Sequence, residues 1–205
     1  MAISAPYLPY QKIAELAAAF IANHNPENVL PLPIEEIVEF NFGIDIIAMP
    51  GFHVNYEVDA FISSDLSEIR VDQSVYDAKN KNRYRFSLAH ELAHAVLHQD
   101  IFKQLKYSSV AAWKASRDAI PEKAYSWLEW QANCFAGLIL VPPLALASKF
   151  ELAVAHAESV GIDIYDARPE AWDNIERWLG AEFGVSTAVI SRRAVKDGLW
   201  EAGEM

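Results

Sequence analysis

The sequence predicts an α+β fold, in which a helix precedes a small sheet and helices make up the rest. Three observations carry this. Ile13, Leu16, Ala17, Phe20 and Ile21 recur at the spacing of one helical face. Three short runs between residues 43 and 72 are rich in β-branched and aromatic residues and are separated by turn chemistry. From Arg83 onward the apolar spacing is helical, broken mainly at prolines and glycines.

Each element follows in order. After the first helix, "NPENVLPLP" breaks the chain, and Pro33 opens a short helix, "PIEEIVEFN", with Glu35 and Glu36 favourably placed in its first turn. "GIDIIAMPG" reads as a strand stopped by Pro50-Gly51. "YEVDAFISS" and "SEIRVD" read as two more strands, turning at Ser64–Leu66. Polar residues from Asp72 to Asn82 lead into a long helix, "RYRFSLAHELAHAVLHQD". The stretch from Gln99 to Leu128 is the least legible, partly helical and interrupted at Pro121. "SWLEWQANCFAGLIL" is a second strong helix, ending at Val141-Pro142-Pro143. The remainder reads as helical, with a loop at Gly161–Arg168, Pro169 as a first helical residue and Gly184 as a turn. We divide the chain into residues 1–142, holding the motifs below, and a C-terminal helical extension, residues 143–205.

Composition narrows the function classes. The 205 residues, 52% hydrophobic, suffice for one domain with a small satellite. No uncharged apolar run is long enough to span a membrane, and the start lacks the basic and apolar regions of a signal peptide. Cys134 is the single cysteine, which excludes an internal disulfide and fits a reducing cytoplasm. A net charge of −11 argues against general nucleic-acid binding.

The chemistry sits in His90-Glu91-Leu92-Ala93-His94, an HExxH spacing. Residues four apart on a helix lie one above the other, so His90 and His94 can both offer a ring nitrogen to one zinc ion at about 2.0–2.1 Å. Glu91 borders the same face without ligating, placed to take a proton from water that the metal acidifies. Leu88, Leu92, Ala95 and Val96 cover the opposite face. Five residues alone are a weak signal, since the pattern arises by chance and helical histidines are commonly surface or packing residues.

A catalytic zinc usually has three protein ligands. The variant HExxHxxGxxH fails here, because Leu97 stands at the glycine position and Asp100 where the third histidine would be. His98 lies a further turn along, about 6 Å beyond His94, and cannot share the metal on an unbroken helix. Downstream, Glu129 and Asn133 stand four apart beside an apolar stripe of Leu128, Ala132, Phe135 and Ile139. Glu129 can supply a carboxylate oxygen, and Asn133 can accept a hydrogen bond from the far ring N–H of a ligand histidine.

"RFSLAHELAHAVLH" followed by "EWQANCFAGLILVP" resembles the ImmA/IrrE family of zinc metallopeptidases, once known as domain of unknown function 955. The resemblance covers about Leu30 to Pro142. It implies a zincin-like core of gluzincin type: a small antiparallel three-stranded sheet packed on the HExxH helix and a second ligand-bearing helix. It also implies zinc bound by His90, His94 and Glu129, with Glu91 as catalytic base. Its further implication is limited, site-specific cleavage of a regulatory protein, a helix-turn-helix repressor or antitoxin. Ala93 replaces the family's usual glycine, a small-for-small change. Gln131 stands where many members carry a second glutamate, which leaves Glu129 as the carboxylate. The interval between His98 and Glu129 is longer than in compact members, and reads as added packing in preference to a lid or partner surface.

The tetrahedral oxyanion of hydrolysis wants a donor. Tyr125, Tyr107, His98 and His156 are available, and the sequence does not choose among them. His98 is either a neighbour supporting the metal ligands or a solvated residue near the helix end. "WLGAEFGVSTAVISRRAVKDGL" resembles a helix-turn-helix, with Arg192, Arg193 and Lys196 as local positive charge, although Arg193 takes a place usually apolar. A structural or partner-docking helix pair suits the acidic chain better than DNA binding. Cys134 reads as core filler. Trp113, Trp127, Trp130 and Trp172 serve packing or line a peptide groove. The competing functions are a DNA-binding regulator, or a non-proteolytic toxin or antitoxin module, with a vestigial metal site.

Overall fold

The computed structural model of the chain describes residues 6–105, 107, 109–164 and 168–200. Helix α1, Tyr10–His24, buries Ile13, Ala17 and Phe20 and leaves its other faces largely to solvent. The following loop is closed by Asn25, whose amide group donates to the Val29 carbonyl and accepts from its N–H, each at 3.0 Å. Pro33 then leads into α2, Ile34–Glu36, which continues as a wider π-type turn over Ile37–Asn41.

The three strands are β1 (Asp45–Met49), β2 (Ala60–Ile62) and β3 (Glu68–Asp72), in the order β1-β3-β2. β2 and β3 form an antiparallel hairpin, but β1 pairs parallel to β3. The sheet is therefore mixed and not antiparallel as expected. The reason is the short helix α3, Phe52–Tyr56, entered through Gly51 at φ +88°. It carries the chain past the place β3 will take, so β2 returns one position out and β3 inserts between the two. "SEIRVD" thus supplies the central strand, and the free edge near the long helix belongs to β2.

Asp72 ends β3 and caps α4, Gln73–Tyr76, accepting from the N–H and hydroxyl of Ser74 and, at 3.0 Å, from His53 N–H. Helix α5, Asn82–Leu97, is followed by α6 (Gln99–Leu105), α7 (Val110–Asp118) and α8 (Glu122–Leu140). α5 and α8 lie side by side, with α1 on the other flank of α8, where Phe20 and Phe135 meet edge to face at 5.6 Å. α9 (Pro143–Ser159), α10 (Arg168–Phe183) and α11 (Thr187–Lys196) complete the chain. Their Leu146, Phe150, Leu179, Phe183, Val185 and Ile190 join the same core as α1, α5 and α8. The expected loop at Gly161–Arg168 partly lies outside the described residues.

Arg85 ties distant segments together, donating to the carbonyls of Leu32 at 2.7 Å and Gly184 at 3.1 Å. No single helix among the described residues is long and apolar enough to cross a membrane. α8 and α9 together are apolar enough, but they meet at a 53° bend. Helix α5 differs from expectation in one respect. The side opposite Leu88 and Leu92 is polar in sequence, yet Glu91, His94 and His98 on it are buried. α8 covers one flank of that side and β2 the other, so only His90 keeps appreciable exposure.

Candidate metal centre

His90 and His94 project from one face of α5 toward α8, where Glu129 meets them. The His90 Nε2 atom lies 3.2 Å from Glu129 Oε2, His94 Nε2 lies 3.4 Å from Glu129 Oε1, and the two Nε2 atoms are 3.2 Å apart. Donors bound to a tetrahedral zinc at about 2.0–2.1 Å stand about 3.3 Å from one another. The three side chains thus have the spacing of a three-ligand set, and among the described residues no other His, Cys, Asp and Glu group converges this way.

Hydrogen bonds behind the rings fix which nitrogens can bind. Gln131, fully buried, donates its amide N–H to the Pro6 carbonyl at 2.7 Å, which turns its oxygen toward His98. His98 Nε2, 2.8 Å from that oxygen, must donate. Neutral His98 then has a bare Nδ1, which accepts from His94 Nδ1–H at 3.0 Å. His94 is left with a lone pair on Nε2, pointing at the convergence. On the other side Asn133 Oδ1 accepts from His90 Nδ1–H at 3.2 Å. Both Nε2 lone pairs therefore face each other and a carboxylate, an arrangement that calls for a positive charge between them.

The electrostatics agree. Burial lowers His94, and burial also lowers His98, to about 4, with the His94 ring adding to the effect, so His98 stays neutral. Burial pushes His90 down as well, but the hydrogen bond and charge of Glu129, with Glu91 nearby, prevail and raise it. Burial opposes ionisation of Glu129, yet His90 and His94 hold its carboxyl well below the usual range. Glu91 is pushed up to about 8 by burial. Its Oε2 accepts from the Ile62 N–H of β2 at 2.8 Å, and Oε1 carries no hydrogen bond among the described residues.

A cleft of about 340 Å³ opens over these residues, lined by His90, Glu91, His94 and Glu129 on one side. Phe102, Leu105, Trp113 and Arg117 from α6 and α7 also line it, with the Phe102 ring 4.7 Å from that of His94. The stretch between His98 and Glu129 is thus more than added packing, because it shapes the cleft. Its helices are short, and Phe102 and Trp113 pack on the main core while also lining the cleft, so no long apolar periodicity marks them in sequence.

The structure separates the four possible oxyanion donors. Tyr107 donates its hydroxyl to the Ile62 carbonyl at 2.6 Å, His98 sits behind His94, and His156 lines a different hollow. Tyr125 faces the cleft one turn before Glu129, and burial followed by the Glu129 charge keeps its phenol protonated. Asn133 and His98 both stand beside the triad as expected. Gln131, which cannot ligate, orders the relay from His94, and the signal in the sequence is its place three residues after Leu128 and four before Phe135, on the apolar stripe of α8. Arg193 is not a surface cation. It is 6% exposed, donating to the Tyr10 hydroxyl at 2.6 Å and to Asp197 at 2.7 Å, because the position it fills belongs to the apolar face of α11.

Residues 74–195 match the IrrE N-terminal-like domain, a peptidase family. No curated protein matches the chain in sequence. Among solved structures the chain is similar to a Mycobacterium tuberculosis transcriptional regulator, with a TM-score of 0.54 and 18% identity, over 90% of this chain and 46% of that one. That likeness is one of fold, and this chain spans about half the length of that protein.

Proposed function

The chain belongs to the IrrE N-terminal-like family of peptidases, and from that premise we propose that it is a zinc-dependent endopeptidase making limited cleavage of a partner regulatory protein. The observation that carries this is the convergence of His90 Nε2, His94 Nε2 and the Glu129 carboxylate, at 3.2–3.4 Å spacing, beside Glu91 in an open cleft. Two imidazoles with bare lone pairs and one ionised carboxylate suit zinc. When bound, such an ion supplies a Lewis acid that acidifies water and polarises a peptide carbonyl.

The protein's own groups do the rest. Glu91 takes the proton of the attacking water on Oε1, while the Ile62 N–H holds Oε2 and fixes the carboxylate's orientation. It then returns the proton to the leaving amine. Tyr125 donates its hydroxyl to the oxyanion that develops on the substrate carbonyl. Asn133, and His98 through Gln131, hold the two histidines in the required tautomers.

A helix-turn-helix repressor or antitoxin is the substrate class that the motif resemblance favours, and the regulatory name of the structural neighbour accords with it. We place the reaction in the cytoplasm, with residues 1–142 as the catalytic portion and residues 143–205 as its helical extension. DNA binding by that extension is disfavoured by the burial of Arg193.

Metal content of wild type, Glu91→Ala and Glu129→Ala, measured by elemental analysis, tests the reading. The expected outcome is about one zinc per chain in the first two and loss in the third. Wild type that holds no zinc after reconstitution would sink the proposal.

A further inference from the structure

The cleft over the triad continues past it. Asp59, Arg83, Phe86 and Ser87 form one of its walls and also a wall of a second hollow, of about 990 Å³, between α5 and the α10–α11 pair. Phe86 precedes His90 by four residues on α5, so the hollows meet about 6 Å from the triad. Across the second hollow stand Arg177 of α10 and Val189 and Arg192 of α11. A third hollow, of about 310 Å³, shares Phe86, Val189 and Arg192 with the second and reaches Asn133. The result is a continuous groove with an apolar floor at Phe86 and Val189.

Its charge is opposite to that of the molecule. The chain carries a net −11, yet Asp59 is the sole carboxylate lining the second hollow among the described residues. Asp59 is already neutralised, since Arg83 grips it through Nε and, at 2.6 Å, through Nη2. Arg177 bonds only neutral groups, the Asp173 carbonyl at 3.1 Å and Asn174 Oδ1 at 2.8 Å. Arg192 is exposed and has no hydrogen bond or ion pair among the described residues. Two guanidinium charges with no carboxylate partner thus stand at the far end of a groove that starts at the triad.

A DNA duplex does not suit this surface. The start of α11 faces α5 across the hollow, tied there by Asn82 donating to the Val185 carbonyl at 2.8 Å, whereas a recognition helix must present its N-terminal residues outward. A polypeptide strand does suit it.

We propose that this groove holds the substrate segment on one side of the scissile bond, and that Arg177 and Arg192 select a segment bearing carboxylates, with an apolar residue seated against Phe86 and Val189. The substrate is then an acidic-apolar stretch of polypeptide, repelled by most of this protein's surface and attracted only along the path to the triad. This rests on the peptidase reading for the purpose of the groove, though binding can be measured without cleavage.

The test uses labelled dodecapeptide mixtures of acidic, neutral or basic composition, titrated by fluorescence anisotropy against the full chain carrying Glu91→Gln. The acidic mixture is expected to bind about fivefold to tenfold more tightly than the basic one. Adding Arg192→Glu should erase most of that preference, and adding Arg177→Glu as well should reverse it. Lys12→Glu, the same charge change on the exposed face of α1, should leave it in place. Circular dichroism melting of each variant separates loss of selectivity from loss of folding, and Arg192→Gln supplies a milder change should the reversal unfold the chain. Equal binding of acidic and basic mixtures, including no binding of either, overturns the proposal, as does a preference that survives both reversals. Tighter binding of a DNA duplex, lost in the same variants, overturns it in favour of nucleic acid. Mass spectrometry of the same mixtures with zinc-loaded wild type keeps the two readings apart. Acidic preference without cleavage removes the peptidase and leaves the groove, and cleavage without acidic preference does the reverse.

Discussion

Glu91 combines two demands that conflict without a cation. As the proposed base it has to be ionised to accept a proton, yet burial raises it to about 8. In metal-free protein it therefore binds a proton when folded that it would release when unfolded, across the interval from its ordinary 4.5 up to about 8. Stability falls as pH rises through that interval. Glu91→Gln keeps an acceptor for the Ile62 N–H and removes the charge. It is expected to raise the melting temperature of the metal-free form at pH 8 by a few degrees, on the order of 1–2 kcal/mol, while abolishing hydrolysis. Calorimetry at pH 5 and pH 8 checks this, because the gain should nearly vanish at the lower pH. The relay behind His94 makes a separate prediction. Gln131→Leu removes the acceptor for His98 Nε2–H and frees His98 to turn. Zinc affinity, measured by competition with a chromophoric chelator, should fall by about 10- to 100-fold with Glu129 and Glu91 intact. Protonation adds a third. Glu129 raises His90, so protons compete with metal at His90 and zinc retention should weaken as pH drops through that raised value.

Among the elements, the edge of β2 limits how a substrate can dock. Hydrogen bonds of Ser63 N–H to Glu68 and of Asp72 N–H to Asp59 set the antiparallel alternation, so Ile62 and Ala60 turn their polar groups outward. Both outward groups of Ile62 are already taken, by Glu91 and Tyr107. An added strand can therefore pair along this edge only at Ala60 and before it, which confines the β-augmented part of a substrate to one end of the cleft. Tyr107→Phe would uncover the Ile62 carbonyl and cost about 1–2 kcal/mol by denaturant titration. At the other end of the hairpin, burial opposes ionisation of Asp72, but hydrogen bonds from Ser74 and the His53 N–H outweigh it and bring its carboxyl to about 2. Its folded value lies below the ordinary 3.8, so its contribution, about 2 kcal/mol, is present above pH 4 and lost as pH falls toward 2. Asp72→Asn should flatten the acid limb of stability in that window. The turn between α10 and α11 depends on Gly184, at φ +62°, where a Cβ would meet Arg85 Nε at 2.7 Å. Gly184→Ala should thus destabilise through both backbone strain and the displaced arginine.

For the molecule as a whole, the candidate metal centre draws on several elements already packed against α5. In the proposed site α5 would provide two ligands and the base and α8 the third ligand, with β2 holding the base and α6 and α7 lining the cleft. Chelation should lower the melting temperature, and across a zinc series above Kd the gain should grow with the logarithm of free zinc, about 1.4 kcal/mol per tenfold, as mass action requires of a ligand of the native state. Glu129→Ala should show the lower value with or without zinc, measured by thermal scans across a zinc series.

The sequence by itself determined the α+β class and the two helices that carry the candidate metal centre, because those features are local: apolar periodicity, proline and glycine breaks, and residue pairs four apart on one helix. The stacking of His90 on His94 and of Glu129 on Asn133 was legible for that reason, whereas the approach of Glu129 to the two histidines is a contact between helices. What only the tertiary structure decided depends on partners distant in sequence. The parallel pairing of β1 with β3 follows from where α3 carries the chain, and no strand's own residues encode it. The burial of Arg193 needs Tyr10, 183 residues away, and the tautomer of His94 is set through Gln131 by the Pro6 carbonyl, 125 residues from it. Hydrogen bonds and packing of this kind are fixed by three-dimensional proximity alone, so a linear spacing rule has no term for them.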